Sequence, residues 1–123
     1  MASTMELEKL ALEVSAARAG LLPVESRTIR GDSGVDHRVN LLFSDGARLY
    51  GFDFYERVTD IDVIRSYTKM FDSRASVNIV CLSGEVSEQA ASLAAGYGMK
   101  ILSPKAAETF FVFEQNRRTP TST

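Results

Sequence analysis

The sequence predicts an α/β protein with a mixed central sheet of about five strands flanked by helices, in the order α-β-β-β-α-β-α-β. Three observations predict it. Residues 35–58, VDHRVNLLFSDGARLYGFDFYERV, place β-branched and aromatic residues on both sides of Asp45-Gly46, a dipeptide that tolerates the positive φ of a tight hairpin turn. Residues 77–82 form a continuous apolar run of strand length closed by Ser83-Gly84, the pattern of a strand covered on both faces. After residue 58, helical periodicities alternate with strands, which calls for crossover connections and helices on the faces of the sheet.

The elements follow in order. Ser3 and Glu6 stand in capping-box spacing, and Leu7, Leu10, Ala11 and Val14 repeat at helical intervals, predicting a helix over residues 5–19 that Gly20 stops. Residues 24–30 suit a short strand, 31–34 a turn, and the long hairpin follows. Thr59 or Asp60 caps a second helix with apolar positions Ile61, Ile64, Tyr67 and Phe71. Beyond the buried strand, Ser87 caps a helix whose Ala90, Leu93, Ala94 and Tyr97 make a small-residue stripe, and residues 100–102 form a last short strand. Ser103-Pro104 is a helix start. Residues 109–113, TFFVF, also have strand composition, but the spacing of Ala107, Phe110, Phe111 and Glu114 supports a helix. Residues 1–116 therefore read as one domain and 117–123 as a disordered tail without core residues.

A chain of 123 residues is the size of one domain. No apolar run approaches the ~20 residues that span a bilayer, and residues 1–10 lack the basic-then-apolar order of a signal peptide, so the expected location is cytoplasmic and no membrane partner is expected. One Cys and one His exclude a disulfide within the chain and argue against zinc. The net charge of −2 and pI near 5.4 do not support nucleic acid as a partner, because phosphate neutralisation needs clustered Lys and Arg. Three Phe and a Val within residues 110–113 exceed what one helical stripe can bury, which predicts a homodimer built partly from them.

The chemistry-bearing residues lie on the hairpin. With a two-residue turn, Asp36 falls opposite Tyr55 and Arg38 opposite Asp53. Alternation then puts Asp36, Arg38, Asn40, Gly51, Asp53 and Tyr55 on one face, and Val39, Leu41, Phe43, Phe52 and Phe54 on the other. The simplest reading of this cluster is a cross-strand Arg38–Asp53 ion pair and a polar strand end. His37 reads as a core or edge histidine. Ser83-Gly84-Glu85 matches a phosphate-binding turn only weakly, without Walker spacing.

The order of elements and this cluster resemble the restriction-endonuclease-like fold of the PD-(D/E)xK nuclease superfamily, in particular its Mrr-type and Holliday-junction-resolvase-like members. The first helix is similar to the family's opening helix, and VNIVCLSGEVSEQAASLAAGYGMKIL is similar to its closing strand, Gly turn, Ala-rich helix and strand. By that resemblance Asp36 stands at the first metal-binding Asp, and Asp53-Phe54-Tyr55 at (D/E)-x-K. The resemblance implies Asp36 and Asp53 as ligands of a Mg²⁺ that polarises phosphate and activates water, with Glu13 as an additional helix-borne ligand. Tyr55 stands where the family has Lys, and a phenol supplies no positive charge. Lys69 on the second helix is the one candidate replacement amine, but the phase of Ile64, Tyr67 and Phe71 turns it away. The expected function is therefore a catalytically degenerate nuclease-fold protein acting as a binding or assembly module, possibly DNA-related, with no cofactor. Two alternatives stand beside it. One is an active Mg²⁺-dependent DNA endonuclease with the altered motif Asp36, Asp53 and Tyr55; the other is a self-associating α/β protein unrelated to nucleic acid.

Overall fold

The computed structural model describes the backbone of residues 3–118 and the side chains of residues 3–112. Its central sheet is built around β5 (Leu49–Tyr55), the longest strand and one buried along almost its whole length. Antiparallel to it runs β4 (Leu41–Ser44), edged by the short β1 (Leu22–Pro23). On its other side lie β6 (Ser76–Cys81) and β7 (Ile101–Leu102), both parallel, giving the order β1-β4-β5-β6-β7. The five-stranded mixed sheet agrees with the predicted class. The element order is richer by two strands, because β2 (Thr28–Arg30) and β3 (Asp36–Arg38) pair only with each other as a separate ribbon, and the helix expected after Ser103 is present.

Alternation along β5 and β6 divides the core. Tyr50, Phe52, Phe54 and Val80 face α1 (Thr4–Arg18) and α4 (Pro104–Arg118), whose Leu12, Ala16, Ala107 and Phe111 close that side. Tyr55, Ile79 and Cys81 face α2 (Asp60–Ser73) and α3 (Glu88–Tyr97), meeting Val63, Ala90 and Ala94. The helix ends are set by their caps. Ser3 accepts from the Glu6 N–H and Ser87 from the Ala90 N–H, while Thr59 and Asp62 form a reciprocal capping box.

Three expectations need correction. The hairpin turn is a four-residue loop, since Ser44 pairs with Leu49. Asp45 itself explains the longer loop: its Oδ1 accepts from the N–H groups of Ala47 and Arg48 at 2.9 and 2.7 Å, an Asx-type turn that outcompetes the two-residue alternative, with Gly46 supplying φ +94°. The register moves by two residues, so each residue of β4 and β5 keeps its expected face while acquiring a different neighbour. The long hairpin also breaks at Val39-Asn40, where neither residue belongs to a strand. Across that bend the phase inverts, and Val39 packs with Ile29, Leu42 and Val77 and not with Phe43 and Phe52. Last, α4 runs through Arg118, so 117–118 belong to it and not to a tail, and 119–123 lie outside the described residues; within α4 residues 109–113 are helical, as their spacing predicts.

Phe110 and Phe111 of α4 are spent on the chain's own core. Phe111 is fully buried, edge-on to Phe43 at 5.5 Å and to Phe52 at 5.6 Å between ring centroids, and Phe110 stands edge-on to Phe52 at 5.4 Å. Burial therefore withdraws Phe111 from any dimer surface, Phe110 is half-buried against the core, and the Phe113 side chain lies outside the described residues. Among the described side chains of the run, Val112 is the one that points outward.

Candidate functional site

Asp53 is a carboxylate at the centre of the sheet, 3% exposed, on the face that α2 covers. The dry environment requires partners for both its oxygens, and α2 supplies them one turn apart. Ser66, fully buried, donates to Oδ2 at 2.6 Å. Lys69 Nζ lies 3.0 Å from Oδ1 and 3.1 Å from Oδ2. The Tyr55 hydroxyl is 3.1 Å from Ser66 Oγ, and because the single Ser66 proton goes to Asp53, Tyr55 is the donor there. The result is a directed chain from Tyr55 to Ser66 to Asp53, closed by the Lys69 ammonium. Burial, with the Asp53 charge adding to it, pushes the Tyr55 phenol up to about 12.

Beside Asp53, at the bend just before β4 and one step beyond the Leu41–Phe52 pair, stands Asn40. Its N–H donates to the Phe52 carbonyl at 3.0 Å and its Oδ1 accepts the Phe54 N–H at 2.7 Å. The side chain thus stands in for a ladder carbonyl where the backbone bends away.

Of the residues expected to converge, only Asp53 and Tyr55 do. Asp36 is on the ribbon, paired with the Arg30 guanidinium at 3.3 Å in solvent. Arg38 faces Thr28 on β2 and is not the partner of Asp53. Glu13 lines a separate groove with Pro23, Arg27 and Leu41, on a helix that packs against the opposite face of the sheet. His37 packs at the C-terminal end of α2, its Nε2 2.7 Å from Asp72 Oδ2. The same carboxylate accepts from the Ser33 hydroxyl at 2.6 Å and the Ser33 N–H at 3.0 Å. The Ser33 hydroxyl, then His37 and the Ser33 N–H, hold Asp72 below its ordinary value of 3.8. Gly31 permits this junction: a Cβ there would lie 1.9 Å from Asp72 Oδ2.

The residues present do not fit a Mg²⁺ site of the kind the resemblance implies. Both Asp53 oxygens are taken by Lys69 and Ser66, the adjacent position is an amide whose oxygen is taken by backbone, and the second carboxylate is elsewhere. Among the described residues no three His, Cys, Asp or Glu side chains group so as to hold a metal ion. The Ser83-Gly84-Glu85 turn is likewise no anion cradle, since Glu85 puts a carboxylate there, paired with Arg57 at 2.9 Å.

Ser66 is the site residue that sequence reasoning missed; Lys69 is raised by it only to be turned away, and Asn40 is placed on the face of Asp53 without a role. Phasing α2 on Ile64, Tyr67 and Phe71 turns Lys69 away, but Ile64 and Phe71 are exposed and only Tyr67 packs. The competing repeat, Val63, Tyr67 and Met70, is the one that packs, and it brings Ser66 and Lys69 against Asp53.

No family model and no curated protein matches the sequence. The fold is similar to the crystal structure of a protein of unknown function, AF1548, at a TM-score of 0.59 and 12% identity, covering 95% of this chain and 73% of that one. At that identity the likeness concerns the fold alone. No helix among the described residues is long and apolar enough to cross a membrane.

Proposed function

We propose that this chain is a nuclease-fold protein that does not cleave and that serves in the cytoplasm as a binding or assembly module, assembling as a homodimer. The observation that carries the reading is the occupation of Asp53: its carboxylate is neutralised by Lys69 and bonded by Ser66, with no second carboxylate beside it. A hydrolytic metal site needs at least two oxygen ligands free to turn toward a cation, and a base or amine beyond them to handle the water. Here the amine is the counter-ion. The same residues make a rigid tie between the central strand and α2, suited to holding a surface in place. The net charge of −2 counts against tight electrostatic binding of nucleic acid, so a DNA-related role would run through a partner protein.

One observation favours a second reading, an active Mg²⁺-dependent endonuclease: Lys69 restores an amine next to Asp53 although Tyr55 occupies the family's Lys position. Duplex, single-stranded and branched DNA incubated with the protein and Mg²⁺ or Mn²⁺ at low salt separates the two. The expected result is no cleavage; cleavage that disappears in Asp53→Ala would overturn the proposal in favour of the second reading.

A further inference from the structure

Helix α1 carries apolar residues on two opposite sides. Leu12 and Ala16 face inward and are fully buried, whereas Leu7, Leu10 and Val14, spaced three and four apart, point the other way and are 56%, 57% and 45% exposed. Across a shallow groove from them Val112 of α4 is 53% exposed, and the groove between is floored by small residues such as Ala11 and Ser15. A single exposed Leu needs no account, but four converging on one groove mark a surface that another chain covers.

We propose that the occupant is a second copy of this chain, with α1 packed antiparallel against the partner's α1 about a two-fold axis; this rests on the assembly half of the function proposed above. Charge selects that arrangement. Glu6 flanks the N-terminal end of the apolar stripe and Arg18 lines the groove at its C-terminal end, and neither side chain has an ion-pair partner among the described residues. An antiparallel pair that seats Leu10 on the second copy's Val14 brings each Glu6 to the second copy's Arg18, and the two-fold axis makes every such contact twice. A parallel pair would set Glu6 against Glu6 and Arg18 against Arg18. Small groove residues let the helices approach closely, and the antiparallel sense aligns the helix dipoles favourably.

The test is sedimentation equilibrium on the full chain across a concentration series. A concentration-dependent dimer is expected, weakened about 30-fold or more by Leu10→Glu, as for loss of a central interface side chain. Leu10 is solvent-facing in the single chain, so circular dichroism should show that variant folded. Glu6→Arg and Arg18→Glu should each weaken the dimer and together restore it. A monomer at every concentration, a dimer indifferent to Leu10→Glu, or single charge reversals without effect would each overturn the proposal. None of these substitutions touches the Asp53 cluster. A dimer indifferent to Leu10→Glu therefore fails this inference alone, a monomer at every concentration fails it together with the assembly half of the proposed function, and a dimer that cleaves fails only the proposal on cleavage.

Discussion

At the scale of single residues, Lys69 controls whether Asp53 is tolerable. Removing the ammonium while leaving the carboxylate at 4% side-chain exposure strands a charge in a dry site, so Lys69→Ala should lose about 3 kcal/mol in urea unfolding. Replacing both, as in Asp53→Asn with Lys69→Met, should recover most of that loss. A Lys69→Ala variant as stable as the parent would show that water reaches Asp53 and that the tie is weak. Asp72 makes the opposite kind of prediction, in pH. Its hydrogen bonds lower its folded value below 3.8, so their contribution is complete above the ordinary carboxylate range and disappears as pH falls through the lowered value. Unfolding midpoints followed from pH 6 down to about pH 2 should fall at the acid end, and the fall should be shallower in Asp72→Asn. Parallel curves for the two proteins would remove Asp72 from the account.

At the scale of elements, the β2–β3 ribbon is held to α2 through a junction that admits no side chain at position 31. Gly31→Ala must displace the Asp72 carboxylate from Ser33 and His37, and an expected cost of about 1–3 kcal/mol would appear with faster amide exchange in the ribbon than in the central sheet. Uniformly faster exchange would mean instead that the ribbon and sheet unfold together. Helix α4 is tied in by aromatic edges, and Phe111→Ala, which empties the contact with Phe43, Tyr50 and Phe52, should cost about 3–5 kcal/mol by thermal or chemical unfolding. Elements were the level at which the sequence was most legible. The buried strand, its following helix with Ser87 as cap, and the short strand at 101–102 all stand where periodicity and caps put them. Pairing was less legible, for local reasons. Asp45 lengthened its turn through bonds to its own backbone, and Asn40 ended the strand by lending its side chain to the ladder; composition does not distinguish either from an ordinary strand-and-turn residue. The site suffered from a different ambiguity. Helix α2 has two apolar stripes, and only the tertiary fold decides which one packs.

At the scale of the whole molecule, a strand-bound carboxylate is met by a helix-bound ammonium, a pairing that shows only once the phase of α2 is known. Differential scanning fluorimetry with millimolar Mg²⁺ or Mn²⁺ should accordingly leave the melting temperature unchanged, since a ligand stabilises only the state that binds it. A rise that is absent in Asp53→Ala would mean that a divalent ion displaces Lys69.

The margins of the sheet have a bearing on how such a chain stays out of trouble. Strands β1 and β7 are two residues each, and β1 includes Pro23, which has no N–H to offer. Either rim thus exposes too little free ladder to template the addition of a foreign strand. Association is thereby steered away from the rims of the central sheet toward helical surfaces, where side-chain shape and charge choose the mate, and open-ended β-fibril growth finds little purchase on that sheet.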